Sequence, residues 1–106
     1  MKHILIAIAT ASIAMTAVTA QAADLKKGQE LLVKGNCAAC HGEGMNKPVV
    51  AEYPKLAGQH ADYLYAALKA YKVTNNPNIG RSNAIMAGQA AQFSDRDLKD
   101  MAAYIA

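Results

Sequence analysis

Five consecutive residues carry the clearest chemistry in the sequence: Cys37-Ala38-Ala39-Cys40-His41. At a helical start, two thiols three positions apart can reach the two vinyl groups of one haem and form thioethers. The imidazole that follows is then held under the iron. This C-x-x-C-H spacing is the attachment pattern of a c-type haem. Other chemistries fit less well. A thioredoxin-like redox pair needs a βαβ context, and no segment shows the alternation of a strand. A zinc site wants four ligands; only His60 could join, and the adjacency of Cys40 and His41 strains a tetrahedron. A disulfide between Cys37 and Cys40 would close a tight, strained loop.

An iron bound by His41 needs a sixth ligand. The candidates are His60, Met45, Met86 and Met101. Met101 lies on the apolar stripe of a helix and reads as core. Met45 follows the attachment site in a Gly-rich turn, on the wrong side for the opposite haem face. His60 opens a helix and reads as a surface residue. Met86 follows a long loop and precedes a short helix, so a loop can carry it over the opposite face. On the residues alone Met86 is favoured and the other three stay open.

The elements that must position these groups read as helices and loops. Asp24 caps a first helix to about residue 34, with Gly28, Leu31 and Leu32 on one face; Gly35-Asn36 ends it, with Gly in the stop position. A second helix spans about 59–72, with the stripe Leu64, Ala67, Leu68, Tyr71, and Asn75-Asn76-Pro77 stops it. A third begins at Ser94. Ser94 and Asp97 form a capping-box-like pair, Phe93 and Leu98 have hydrophobic-staple spacing, and the stripe is Leu98, Met101, Ala102, Ile105. A short Ala-rich helix fits near 85–92. Residues 42–53 and 73–83 are irregular and rich in Gly, Pro and Asn. The expected class is all-α.

Size and composition agree. The chain has 106 residues, enough for one domain. Hydrophobic residues make up 53%, but 15 of the 56 lie in the first 22, leaving 41 of 84, about 49%, many of them Ala. Such a chain builds a marginal core and usually needs a staple, which a haem would provide. The first 22 residues read as a cleaved secretory signal: Lys2 and His3, a charge-free apolar run over 4–18, then Ala20-Gln21-Ala22 with cleavage after Ala22. The run of about 15 residues is short of the roughly 20 that span a membrane. Export implies an oxidising compartment, the bacterial periplasm. Losing Lys2 leaves the mature side chains at +2 with dispersed lysines, too weak a charge to argue for nucleic acid, so no nucleic-acid partner is expected.

Four segments together resemble the monohaem class I c-type cytochromes, in particular the small bacterial periplasmic group of the cytochrome c-553 kind and one half of the dihaem cytochromes. They are Cys37-Ala-Ala-Cys-His-Gly42; Tyr53-Pro-Lys-Leu-Ala-Gly-Gln59 with Tyr63-Leu64; Arg81-Ser-Asn-Ala-Ile-Met86; and Phe93-Ser-Asp-Arg-Asp-Leu98 running into Ala103-Tyr104-Ile105. The resemblance implies a cytochrome domain over 23–106, with three to four short helices wrapped around one covalent haem c. It implies His41 and Met86 as axial ligands, thioethers at Cys37 and Cys40, and the Pro54 carbonyl as acceptor for the free nitrogen of His41. Pro48 is the competing acceptor but lacks the following L-A-G-Q. Gly28 would let the first helix cross the last near Met101 and Tyr104, and Arg81 would approach a haem propionate. The stretch 42–53, with Met45 and Pro48, does not map residue by residue.

With His and Met both bound, the iron has no open position for a substrate. The expected function is a periplasmic one-electron carrier, monomeric, docking transiently on redox partner proteins such as those of a respiratory chain, and not an enzyme. The alternatives are a haem subunit of a larger periplasmic oxidoreductase and, third, an open-haem peroxidase-type enzyme.

Overall fold

The computed structural model describes residues 7–14, 22–76 and 78–106. Most of the expected signal segment, 1–6 and 15–21, lies outside the described residues, as does Pro77 of the expected helix stop. Among the described residues there are five α-helices and no strand: α1 Leu25–Lys34, α2 Ala38–His41, α3 Ala61–Ala70, α4 Ala84–Ala91 and α5 Asp95–Ile105. A 3-10 turn, Glu43–Met45, follows α2. No helix among the described residues is long and apolar enough to cross a membrane. The four longer helices are those expected from the sequence, with α3 shorter by two residues at each end. The one-turn α2 is an addition, and it carries the Cys-His motif.

Local signals explain the helix starts. The Asp24 carboxylate accepts the Lys27 N–H at 3.0 Å and caps α1. Ser94 and Asp97 form a complete capping box on α5, each side chain bonded to the other's backbone N–H. Phe93 and Leu98, the staple pair, are both buried. Asn83 caps α4 by accepting the Met86 N–H at 2.9 Å. His60, at the N-cap of α3, makes no side-chain capping bond and is exposed.

The end of α1 differs from the expectation. Gly35 keeps a right-handed helical conformation, φ −79°, and Asn36 is the left-handed residue, φ 53°. Asn tolerates this region better than most residues because its short amide bonds locally. The Asn36 N–H reaches the Val33 carbonyl and the Cys37 N–H reaches the Leu32 carbonyl, both at 3.1 Å. That pair of bonds is a Schellman motif. Gly35 sits in a tight spot: a Cβ there would stand 3.0 Å from the Phe93 ring and 3.2 Å from the Cys37 sulfur, so one of them would have to give by a few tenths of an ångström.

The core forms where α5 packs on α1 and on α3. It comprises Leu31, Leu32, Met45, Leu64, Phe93, Leu98, Met101, Ala102 and Ile105. Each large aliphatic side chain buried here contributes about 1.5–3 kcal/mol. Asp100 is the buried charge in this crossing. Its Oδ1 accepts the Asp24 N–H at 2.9 Å and faces the Arg96 guanidinium at 3.4 Å, so it fastens the start of α1 to α5. By contrast α4 buries only Ala90 and packs weakly on the other helices.

Gly28 sits at the closest approach of α1 and α5. A Cβ built there would overlap the Asp100 carbonyl oxygen, stand 2.7 Å from its carbon and 3.0 Å from the Tyr104 Cβ. Backbone cannot yield as a flexible side-chain tip can. Helix propensity alone favours Ala over Gly by about 1 kcal/mol. The collision reverses the sign: Gly28→Ala is expected to destabilise the domain by about 1–3 kcal/mol net, read as a lower thermal unfolding midpoint. An unchanged or raised midpoint would show that the helices can separate at no cost.

Candidate haem site

The Schellman motif that stops α1 also delivers the first thiol. Cys37 is the second residue beyond the helix cap, the position whose side chain normally turns back onto the apolar face of the helix it follows. Here it packs against the core cluster, half-buried. The Cys37 carbonyl then accepts the Cys40 N–H at 3.3 Å and the His41 N–H at 3.1 Å, which closes the single turn of α2. Cys37 and Cys40 are not joined in a disulfide. Burial pushes the Cys37 thiol above its ordinary value, partly opposed by a backbone hydrogen bond and aided by the nearby Cys40.

His41 ends α2 and is buried, 7% exposed. Its Nδ1 donates to the Pro54 carbonyl at 2.9 Å. A carbonyl can only accept, so this bond fixes the proton on Nδ1 and leaves the lone pair on Nε2 for a metal. The Tyr53 ring lies 6.4 Å away, centroid to centroid, tilted at 51°. Among the described residues no three His, Cys, Asp or Glu side chains gather as a bare-metal site.

Pro54 is thirteen residues from His41, and the intervening loop explains how its carbonyl arrives there. Gly42 has φ 83° and ψ 165°, a region open only to glycine, and lets the chain reverse directly after the histidine. The loop then bonds back onto the motif: the Lys47 N–H to the His41 carbonyl at 3.2 Å, the Val49 N–H to the Cys40 carbonyl at 3.0 Å. Met45 anchors the far side. Its side chain is in the core, and its carbonyl accepts the N–H groups of Leu56, at 2.8 Å, and Ala57, at 3.1 Å. Those bonds offset the cost, about 1–2 kcal/mol, of a left-handed φ of 58° at a residue other than glycine. Met101 is likewise buried in the core.

The structure therefore brings Cys37, Cys40, His41 and Pro54 into one unit. The residues fit a covalently attached haem: two cysteines at the attachment spacing, and a buried imidazole of fixed tautomer next to them. Met86 lies on a different element, half-buried in the first turn of α4 rather than in the loop before it. Arg81 donates from Nη2 to the Tyr63 hydroxyl at 2.7 Å, and its guanidinium lies 5.4 Å from the Tyr63 ring centre and 5.8 Å from that of Tyr71. Both phenols, Tyr71 more than Tyr63, push the guanidinium's pKa further up. Sequence reasoning missed Tyr63 and Tyr71 as partners of Arg81, which no local pattern announces. It also missed Asn83, which an N-cap search before the Ala-rich run would have found.

Comparison with known proteins agrees with this geometry. The sequence profile of the family "Cytochrome c" matches residues 25–106. Cytochrome c-554(548) of Halomonas halodenitrificans is 37% identical over 83 residues, which cover 78% of this chain and 94% of that protein. Cytochrome c4 of Stutzerimonas stutzeri is 36% identical over 97 residues, 88% of this chain and 45% of that protein. The crystal structure of reduced recombinant cytochrome c4 from Pseudomonas stutzeri superposes with a TM-score of 0.67 at 35% identity, over 79% of this chain and 45% of that one. The chain thus spans under half the length of the cytochrome c4 relatives that it matches.

Gly42 generates a prediction for the site. A Cβ there would overlap the Lys47 carbonyl as well as force a backbone closed to other residues. Gly42→Ala is expected to lower stability by at least about 1–3 kcal/mol, measured by denaturant unfolding. A loss under about 0.5 kcal/mol would mean that the reversal after His41 does not need glycine.

Proposed function

The chain belongs to the cytochrome c family, and from that premise we propose that it is a periplasmic one-electron carrier whose haem iron is held axially by His41 and Met86. The observation that carries this reading is the His41 Nδ1–Pro54 bond, which leaves the lone pair of a buried imidazole on Nε2, directly after Cys40 in the attachment motif. The haem c of this family supplies one reversible electron between ferric and ferrous iron.

The chain's residues do the rest. Cys37 and Cys40 would hold the haem by thioethers, each S–H adding across a vinyl group with no oxidant consumed. Pro54 holds the His41 ring in one orientation and strengthens it as a donor. The Met86 thioether would complete the coordination, and methionine as a ligand would raise the potential. With His41 and Met86 both bound, no position would be left for a substrate. That is an electron-transfer protein, as the relatives named cytochromes c are, rather than an enzyme. Arg81 keeps donors beyond the one given to Tyr63, and these serve a haem propionate. Residues 1–22 act as the export signal and 23–106 as the cytochrome domain, a monomer that meets its redox partners through a small, transient interface.

Replacing Met86 tests the reading. In the haem-loaded protein, Met86→Ala is expected to turn a low-spin iron high-spin, abolish the far-red methionine-to-iron band, lower the reduction potential and admit carbon monoxide to the ferrous form. Retention of a low-spin spectrum with the methionine band would contradict the ligand assignment. Purification of the native protein as a stable heteromer would favour the haem-subunit alternative over the free carrier.

A further inference from the structure

Met86 sits on the helix least held by packing. α4 buries one residue, Ala90, near its C-terminal end, and packs weakly on the other helices. A sixth ligand on such a helix stays in place only if something fixes the helix's N-terminal end. The hydrogen bonds there form a continuous set. The Arg81 N–H donates to the Ala70 carbonyl at the last residue of α3, 3.0 Å. The Arg81 guanidinium donates to the Tyr63 hydroxyl in the first turn of α3, at 2.7 Å, and lies over the rings of Tyr63 and Tyr71. Two residues on, Asn83 caps α4 through the backbone N–H of Met86 itself, at 2.9 Å.

We propose that Tyr63, Arg81 and Tyr71 form a latch that pins the segment leading into α4 onto α3 and so positions Met86. Tyr63 and Tyr71 bracket α3, ten residues long, so the single guanidinium between them ties the 81–83 segment to both ends of that helix. Displacement of the Met86 backbone requires the cap at Asn83 to move, and Asn83 is two residues from Arg81, which is held at its backbone and its side chain. The latch is exposed to water, Tyr63 being 49% accessible. Its hold is therefore modest, and it acts by limiting how often the α4 end opens rather than by setting the overall stability.

This inference rests on Met86 as the ligand, and its test separates the two. In the haem-loaded ferric protein, cyanide has to wait for the methionine to leave, so its binding rate at saturating cyanide reports the opening. Arg81→Gln and Tyr63→Phe are each expected to raise that limiting rate about threefold to tenfold, the loss of one exposed charge-assisted hydrogen bond. Lys34→Gln, the same change of charge at an exposed site on α1, should leave it unchanged. Tyr63→Phe keeps the ring and the Arg81 charge, so it remains informative if Arg81→Gln loads haem poorly. Limiting rates equal to the parent in both latch variants would overturn the latch, whether or not the reduction potential shifts. Failure of the ligand assignment reads differently, since Met86→Ala would then keep the far-red band, and that outcome overturns both.

Discussion

The arrangement depends on one hydrogen bond, from the His41 Nδ1 to the Pro54 carbonyl at 2.9 Å. A neutral imidazole offers one donor and one acceptor, and a carbonyl partner decides which nitrogen is which. Much of the neighbouring structure serves to hold those two atoms together. The Schellman stop of α1 and the single turn of α2 set the ring. The reversal at Gly42, the bonds of Lys47 and Val49 back to the motif, and the doubly accepting Met45 carbonyl set the acceptor. None of these is strong alone. Together they leave the Pro54 carbonyl few positions, which is how a small protein orients a ligand with backbone rather than with a dedicated side-chain network.

A division of labour follows. α1 and α5 cross closely because Gly28 lacks a Cβ, and α3 packs on the other side of α5. That frame is built from well-buried Leu, Ile, Met and Phe side chains. The two site halves hang from it differently. The Cys-His segment is continuous with the end of α1 and with the core, whereas Met86 is on a helix that is capped by Asn83 and buries only Ala90. If Met86 is the second ligand, as proposed, its side of the haem is the one with more freedom to open.

Much of this was legible in the sequence, for identifiable reasons. The attachment motif is a local pattern of residue types. The caps at Asp24 and at Ser94 with Asp97 are local too, and so is the apolar stripe Leu98, Met101, Ala102, Ile105. The close approach at Gly28 followed from the resemblance rather than from the residue. What stayed hidden is tertiary or carried by backbone. The stretch from Gly42 to Pro54 folds through carbonyl and N–H groups that every residue has, so its side chains do not announce it. The residues point to Gly35 as the stop of α1 because glycine is the commoner choice there, whereas Asn36 takes the left-handed turn and Gly35 fits closely against the Phe93 ring. Tyr63 and Arg81 are eighteen residues apart and meet only once α3 and the loop after it are placed.

If His41 and Met86 bind one iron with the His41 proton held on Nδ1, proton magnetic resonance of the reduced, haem-loaded protein will show a slowly exchanging Nδ1 proton of His41 close to Pro54, and one methionine methyl, assigned to Met86, shifted strongly upfield by the porphyrin ring current. A ring-current-shifted methyl assigned to Met45 or Met101, or no such methyl at all, would contradict that coordination.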